Sequence, residues 1–312
     1  MTVPRQLTIK HAMRLFHFSS YVAICLAGWI FQNAQAQVLP LPDQGKLLAT
    51  SGVSEVEGTG GGGLVPWAVI TGYGSENSYG FNAHVTQLNT QDYQLNTSGI
   101  AIGICDKLEL SLSKQEFSGS LAPLNKLKLS QEIVGVKLKL AGDLVADQDN
   151  WRPQIAVGAM FKRDQGINGL EALGVTNVTQ LGAKDDQGTD YYVSATKLFL
   201  AQSLLLNGTV RLTKANQMGL LGFGGDKHDH YQAMAEASAA YLLNRKVAVG
   251  VEYRQKPSNL SVDHEKAYYD GFLAWFPNKN LSLTLAYVTL GDITVFNPKN
   301  QRGWYLSVQI GN

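Results

Sequence analysis

The residues best suited to chemistry are three histidines with acidic neighbours: the run His228-Asp229-His230, and His264 between Asp263 and Glu265. Imidazole and carboxylate groups together can hold a divalent cation, and an Asp-His pair can activate water for hydrolysis. Neither spacing selects for a metal or a triad, and a solvated polar loop accounts for the same residues. His84 has no serine or acid that the sequence assigns to it, so a structural hydrogen-bonded role is expected. Gly58, Gly60 and Gly63 have G-x-G-x-x-G spacing, but a dinucleotide-binding turn must follow a strand and open a helix. Here Pro66 and a strand-like pattern follow, so a flexible glycine-rich approach to the fold is expected. No phosphate-loop G-x-x-x-x-G-K and no H-E-x-x-H occurs; neither cofactor nor bound metal is expected, and the chain reads as non-enzymatic.

A more informative set is Arg211, Glu236, Glu252, Arg254 and Asp270, which share one alternation phase in four consecutive segments. If those segments are adjacent strands about 4.8 Å apart, these side chains reach one another across the wall of an enclosed space. Two readings follow. Mixed signs favour an internal ion-pair network that rigidifies a filled interior, because a buried charge is costly without a partner. The alternative is a polar constriction that filters a solute, as charged rings do in pores.

The elements that must position them are strands. Tyr79, Phe81, Ala83 and Val85 alternate with Gly80, Asn82, His84 and Thr86, and the same two-residue period recurs at Leu108–Ser113, Val134–Leu140 and Ile155–Phe161. It continues at Leu204–Leu212, Val247–Tyr253, Leu281–Tyr287 and Trp304–Ile310. Segments of about 10 residues with this dyad period are the signature of membrane-spanning strands with a lipid face and a lumen face. Connection lengths agree. Short turns at Cys105-Asp106-Lys107, Ala201-Gln202-Ser203, Asn244-Arg245 and Pro277–Asn280 alternate with long polar stretches at 118–131, 164–189, 215–230, 257–265 and 292–302. The sequence therefore predicts an all-β fold, a transmembrane antiparallel β-barrel of the outer-membrane type. Twelve strands run from Tyr79 to the C-terminus. Leu64–Tyr73 with a partner near Leu47–Glu57 would make fourteen, and both counts stand. A phase shift between Leu95 and Ile100 predicts a bulge near Gly99, and the alanine-rich Gln232–Leu243 is expected as a strand from its hairpin context.

Composition and charge set limits. The 312 residues are 45% hydrophobic and 16% charged, with a formal net charge of +1, which excludes a disordered chain and offers no basic face for nucleic acid. Residues 1–36 have the form of a secretory signal peptide: Arg5, Lys10 and Arg14, an apolar stretch from Tyr21 to Phe31, and Ala34-Gln35-Ala36. Cleavage there would leave a mildly acidic chain with Cys105 as its one cysteine, so no internal disulfide is available. The domain plan is a signal peptide over 1–36, a glycine-rich segment over 37–63 and a barrel over 64–312.

Tyr253–Leu260, Phe276–Asn280 and Gln301–Ser307, with the opening run Gly63–Ile70, resemble the proteobacterial family called domain of unknown function 3034. That resemblance implies a Gram-negative outer-membrane protein and carries no activity or functional residues. The preferred expectation is a non-enzymatic, porin-like barrel that passes or binds a small solute. The alternatives are a structural or partner-binding barrel with a plugged lumen, and an outer-membrane hydrolase using the loop Asp and His residues. Expected partners are outer-membrane lipid, the barrel-assembly machinery and a small solute.

Overall fold

From Tyr79 onward, period-two alternation becomes strand after strand, each with one face inward and one outward. The computed structural model describes residues 53–72, 79–120, 124–147 and 150–312. The expected signal peptide, the segment 37–52 and the turn 74–78 lie outside the described residues. Among the described residues twelve antiparallel strands form one closed barrel: β1 (Tyr79–Thr90), β2 (Tyr93–Ile104), β3 (Leu108–Gly119), β4 (Lys128–Ala141), β5 (Gln154–Asn168) and β6 (Gln187–Phe199). The rest are β7 (Leu204–Thr213), β8 (Gln232–Asn244), β9 (Val247–Arg254), β10 (Tyr268–Asn278), β11 (Leu281–Gly291) and β12 (Gln301–Gly311). Every strand pairs with its sequence neighbours, and β1 closes on β12 through a register that includes Val85 opposite Val308.

The two ends of the barrel differ. β1 starts and β12 finishes at one, the terminal end, where the β2–β3 hairpin turns through Cys105 and Asp106, both at positive φ, with Lys107 N donating to Ile104 O (3.0 Å). The opposite, loop end carries the connections β3–β4, β5–β6, β7–β8, β9–β10 and β11–β12. Outward residues make an aliphatic band, with Val85, Leu110, Leu112, Val134 and Val136 exposed. Aromatic rings border it. Tyr79, Tyr241 and Trp275 lie near the terminal end, and the edge-to-face pair Tyr287–Trp304 and the tilted pair Tyr253–Tyr269 lie near the loop end.

Three expectations need correction. Leu64–Tyr73 is not a strand in its described part: residues 53–72 enter the lumen, and β1 begins at Tyr79. The wall needs no strand from this segment, because β12 already pairs β1 along its length. The glycine-rich stretch is not a loose approach either, since Ser54 to Gly72 is buried throughout apart from the half-buried Trp67. Nor is there a bulge at Gly99. β1 and β2 pair in unbroken register from Tyr79–Ile104 to Asn89–Gln94. The phase changes because Leu95 faces inward and is buried while Ile100 faces outward.

Closure by β1 and β12 is testable in a Cys105→Ser background. The pair Val85→Cys and Val308→Cys should crosslink on mild oxidation and change electrophoretic mobility. Two further strands between them would keep these residues apart and no crosslink would form.

Candidate functional site

In the loop-ward part of the lumen lies a layer of charge built around one carboxylate from the N-terminal plug. The inward phase of β5, β6, β7, β8 and β9 presents Lys162, Asp190, Arg211, Glu236 and Arg254, all buried. Glu57 is inserted among them. Its Oε1 pairs with Lys162, and its Oε2 lies 3.1 Å from Arg211 Nη1 and 2.8 Å from Arg254 Nη1. Lys162 also holds Asp190 at 2.6 Å, and Arg211 donates to both oxygens of Glu236, at 2.6 and 3.4 Å. Three cations thus meet three carboxylates in direct contact.

Two more wall carboxylates grip the plug backbone. Glu252 accepts from Gly63 N and Leu64 N, both at 2.7 Å, and from Ser238 Oγ at 2.8 Å. Glu109 accepts from Thr59 Oγ1, Gly60 N (2.9 Å) and Thr71 N (2.8 Å), while Lys137 donates to Gly60 O and Val69 O. Of the five residues expected together, Arg211, Glu236 and Arg254 join one network. Glu252 instead serves the plug, and Asp270 lies opposite Glu252 in register with no hydrogen-bond donor on either oxygen. Sequence reading missed Glu57, Lys162 and Asp190. The last two were within reach: each sits in the inward phase beside an exposed aromatic, Phe161 or Tyr191.

Above this layer the β7–β8 connection turns into the barrel. Its short 3-10 turn Asn216–Gly219 holds Gln217 and Met218 at positive φ, and Met218 O accepts from Lys162 Nζ at 3.0 Å. Over that turn lies a cavity of about 420 Å³ at the loop end. It is walled chiefly by aliphatic and aromatic side chains, including Leu95, Phe117, Leu129, Leu220, Leu290 and Ile293. One corner is polar. Gln217 Oε1 accepts from Tyr268 Oη (2.6 Å) and Lys256 Nζ (2.9 Å), Lys256 pairs with Glu265 at 2.5 Å, and Gln217 Nε2 donates to Asp263 (2.7 Å). Burial, with Glu265 close by, pushes the Asp263 carboxyl up to about 9.

The loop histidines are not assembled. His228 and His230 stack edge to face with ring centres 5.5 Å apart, and Asp229 pairs with Lys214 at 3.0 Å. Asp263 and Glu265 turn inward, whereas His264 is exposed with Nδ1 3.3 Å from Asp292. Among the described residues no group of three or more His, Cys, Asp or Glu side chains is arranged to hold a metal. His84 is buried, and its ring nitrogens lack the hydrogen bonds expected of them.

The family model described as "Protein of unknown function (DUF3034)" matches residues 50–309. No curated protein matches the chain. Among solved structures, the NanC porin is similar at 9% identity and TM-score 0.47, covering 74% of this chain and 98% of that one. The KdgM porin is similar at 10% identity and TM-score 0.43, covering 73% and 98%. The Acinetobacter baumannii outer membrane protein Omp33 is similar at 7% identity and TM-score 0.41, covering 76% and 99%.

Two outcomes are expected. Arg211→Ala leaves Glu236 with only Arg254 at 3.5 Å and takes one of three cations from Glu57, and should cost about 3–5 kcal/mol in urea unfolding; a variant as stable as wild type would show that water screens the layer. The Asp263 carboxyl keeps its proton to about pH 9 when packed but loses it near the ordinary carboxylate value of 3.8 when released. Its contribution is therefore full below that ordinary value and is lost as pH rises toward 9. The urea midpoint should fall between pH 5 and pH 8.5, and Asp263→Asn should flatten that fall.

Proposed function

We propose that this chain, which belongs to the DUF3034 family, is a non-enzymatic outer-membrane barrel that binds and passes a small neutral hydrophobic solute. The carrying observation is the loop-end cavity of about 420 Å³, apolar over nearly all its wall and open beside the loops. Small-molecule pockets range over about 300–1,000 Å³. A water-filled porin needs a polar lumen. Here the charged groups are paired with one another beneath the inturned Asn216–Gly219 segment and the mouth is greasy. Neutrality follows from Lys256: the cation nearest the cavity's polar corner is already held by Glu265 and Gln217, so an anionic ligand finds no free counter-charge.

Membrane placement rests on the aliphatic band with aromatic rings at both borders, the pattern of barrels whose outer face meets lipid. Export by the N-terminal segment, insertion by the barrel-assembly machinery and contact with outer-membrane lipid complete the reading.

Binding can be followed with the barrel held in amphipol and 1-N-phenylnaphthylamine as a fluorescent ligand. Decanol should displace it at pH 8 better than decanoate does. Leu290→Gln, which sets an amide into the cavity wall, should weaken binding about tenfold, near 1.4 kcal/mol. Equal displacement by alcohol and carboxylate, or an unaffected variant, would reject the neutral-solute reading.

A further inference from the structure

A second apolar cavity, of about 170 Å³, lies at the terminal end, walled by Leu144, Leu198, Leu205, Ala240 and Phe276 together with Trp67 of the plug. An apolar void of roughly 150 Å³ stays dry and accepts a benzene-sized molecule. The two cavities are separated by the plug, but the plug does not meet the wall in the same way all round. Toward β3–β9 it is tied by charge and hydrogen bonds through Glu109, Lys137, Lys162, Arg211, Glu252 and Arg254.

Toward β10–β12 no ion pair joins it to the wall: Ser54 exchanges two hydrogen bonds with Gln309 of β12, at 2.7 and 3.1 Å, and the rest is apolar contact. Leu64 and Val65 of the plug cluster with Tyr268, Ala286, Val288, Leu290 and Tyr305, and this cluster reaches the wall of the loop-end cavity through Tyr268 and Leu290. Phe272 and Trp67 pack against this cluster and also against the one at the terminal end. Trp67 is fixed by Nε1 donating to Ser238 Oγ at 2.9 Å. Phe272 has no such anchor. Its ring lies over Gly250, where a Cβ would stand 2.5 Å from Phe272 Cζ. Asp270 borders this seam on the β9 side, opposite Glu252.

We infer that the terminal-end cavity is a second binding site for a neutral hydrophobe about one aromatic ring in size, reached from the loop-end cavity along the β10–β12 seam past Phe272. This rests on the loop-end cavity binding such a solute, and the smaller cavity narrows the class. A ring of that size fits both voids, whereas a long chain fits only the first. The seam needs one unanchored ring to move and leaves the charged half of the interior intact.

Crystals of the full chain soaked with a concentration series of bromobenzene give separate bromine anomalous signals at the two cavities. The wild type should show both. Ala240→Phe, which fills the terminal-end void, should keep the loop-end signal and lose the other, and Ala274→Leu is a second filling variant in case the first fails to fold. Phe272→Ala should add bromine density between the two. A wild type with only the loop-end signal would overturn the second site and leave the proposed function standing, and no signal at either cavity would remove both. Two signals with no intermediate density in Phe272→Ala would overturn the route.

Discussion

The interior depends on where one carboxylate sits. Twelve strands enclose more space than their own inward side chains fill, and their inward phase brings Lys162, Arg211 and Arg254 together with Asp190 and Glu236. That set alone leaves one positive charge in excess. Glu57 supplies the missing negative charge from the plug, and in doing so fixes the plug inside the lumen. Removing either side of such a buried cluster is far costlier than never having built it, so wall and plug specify each other.

Polarity along the lumen follows from that placement. In a water-filled barrel, inward residues stay polar from rim to rim. Here β11 reads Ser282, Thr284, Ala286, Val288 and Leu290 along its inward face, passing from polar to apolar toward the loops. β1 does the same with Asn82, His84, Thr86 and Leu88. Charge is confined to the layer where the plug satisfies it, and the inturned Asn216–Gly219 segment caps that layer through Met218 O. What remains beyond the cap offers polar groups only at the Gln217–Tyr268 corner, where they already bond one another, so water gains little by occupying the rest.

The sequence disclosed the wall far better than its contents. Alternation marks which residue of each pair faces out, so strand positions, the turn at Cys105-Asp106 and the inward direction of Arg211 and Arg254 were legible. The plug was not, because residues 53–72 have no period: they are held by backbone groups whose partners lie far along the chain. The loop-end cavity did leave a trace. The shift between Leu95 and Ile100 reads as a bulge if inward residues must be polar, but it is the point where the interior turns apolar. The arrangement around the loop histidines was not legible either, since proximity in sequence says nothing about Asp263 turning inward while His264 turns out.

The glycine run reconciles a tightly held plug with passage of a solute. At Gly62 a Cβ would collide with the Glu252 carboxyl, so the chain can approach closely enough for Gly63 N and Leu64 N to cradle that carboxylate. The stretch with G-x-G-x-x-G spacing thus holds a carboxyl group, one that belongs to the barrel itself. Expelling the plug would strip donors from Glu252 and Glu109, take two carbonyl acceptors from Lys137, and leave the Lys162–Arg211–Arg254 set without Glu57. Even with water entering behind the plug, each bond to a charged group given up costs about 1.5–3 kcal/mol net, and all of them must be given up together. Swinging one aromatic ring off its rotamer costs about 1 kcal/mol. On those magnitudes a solute moves beside the plug rather than by displacing it, and the apolar flank along β10–β12 is the side on which nothing ionic has to break.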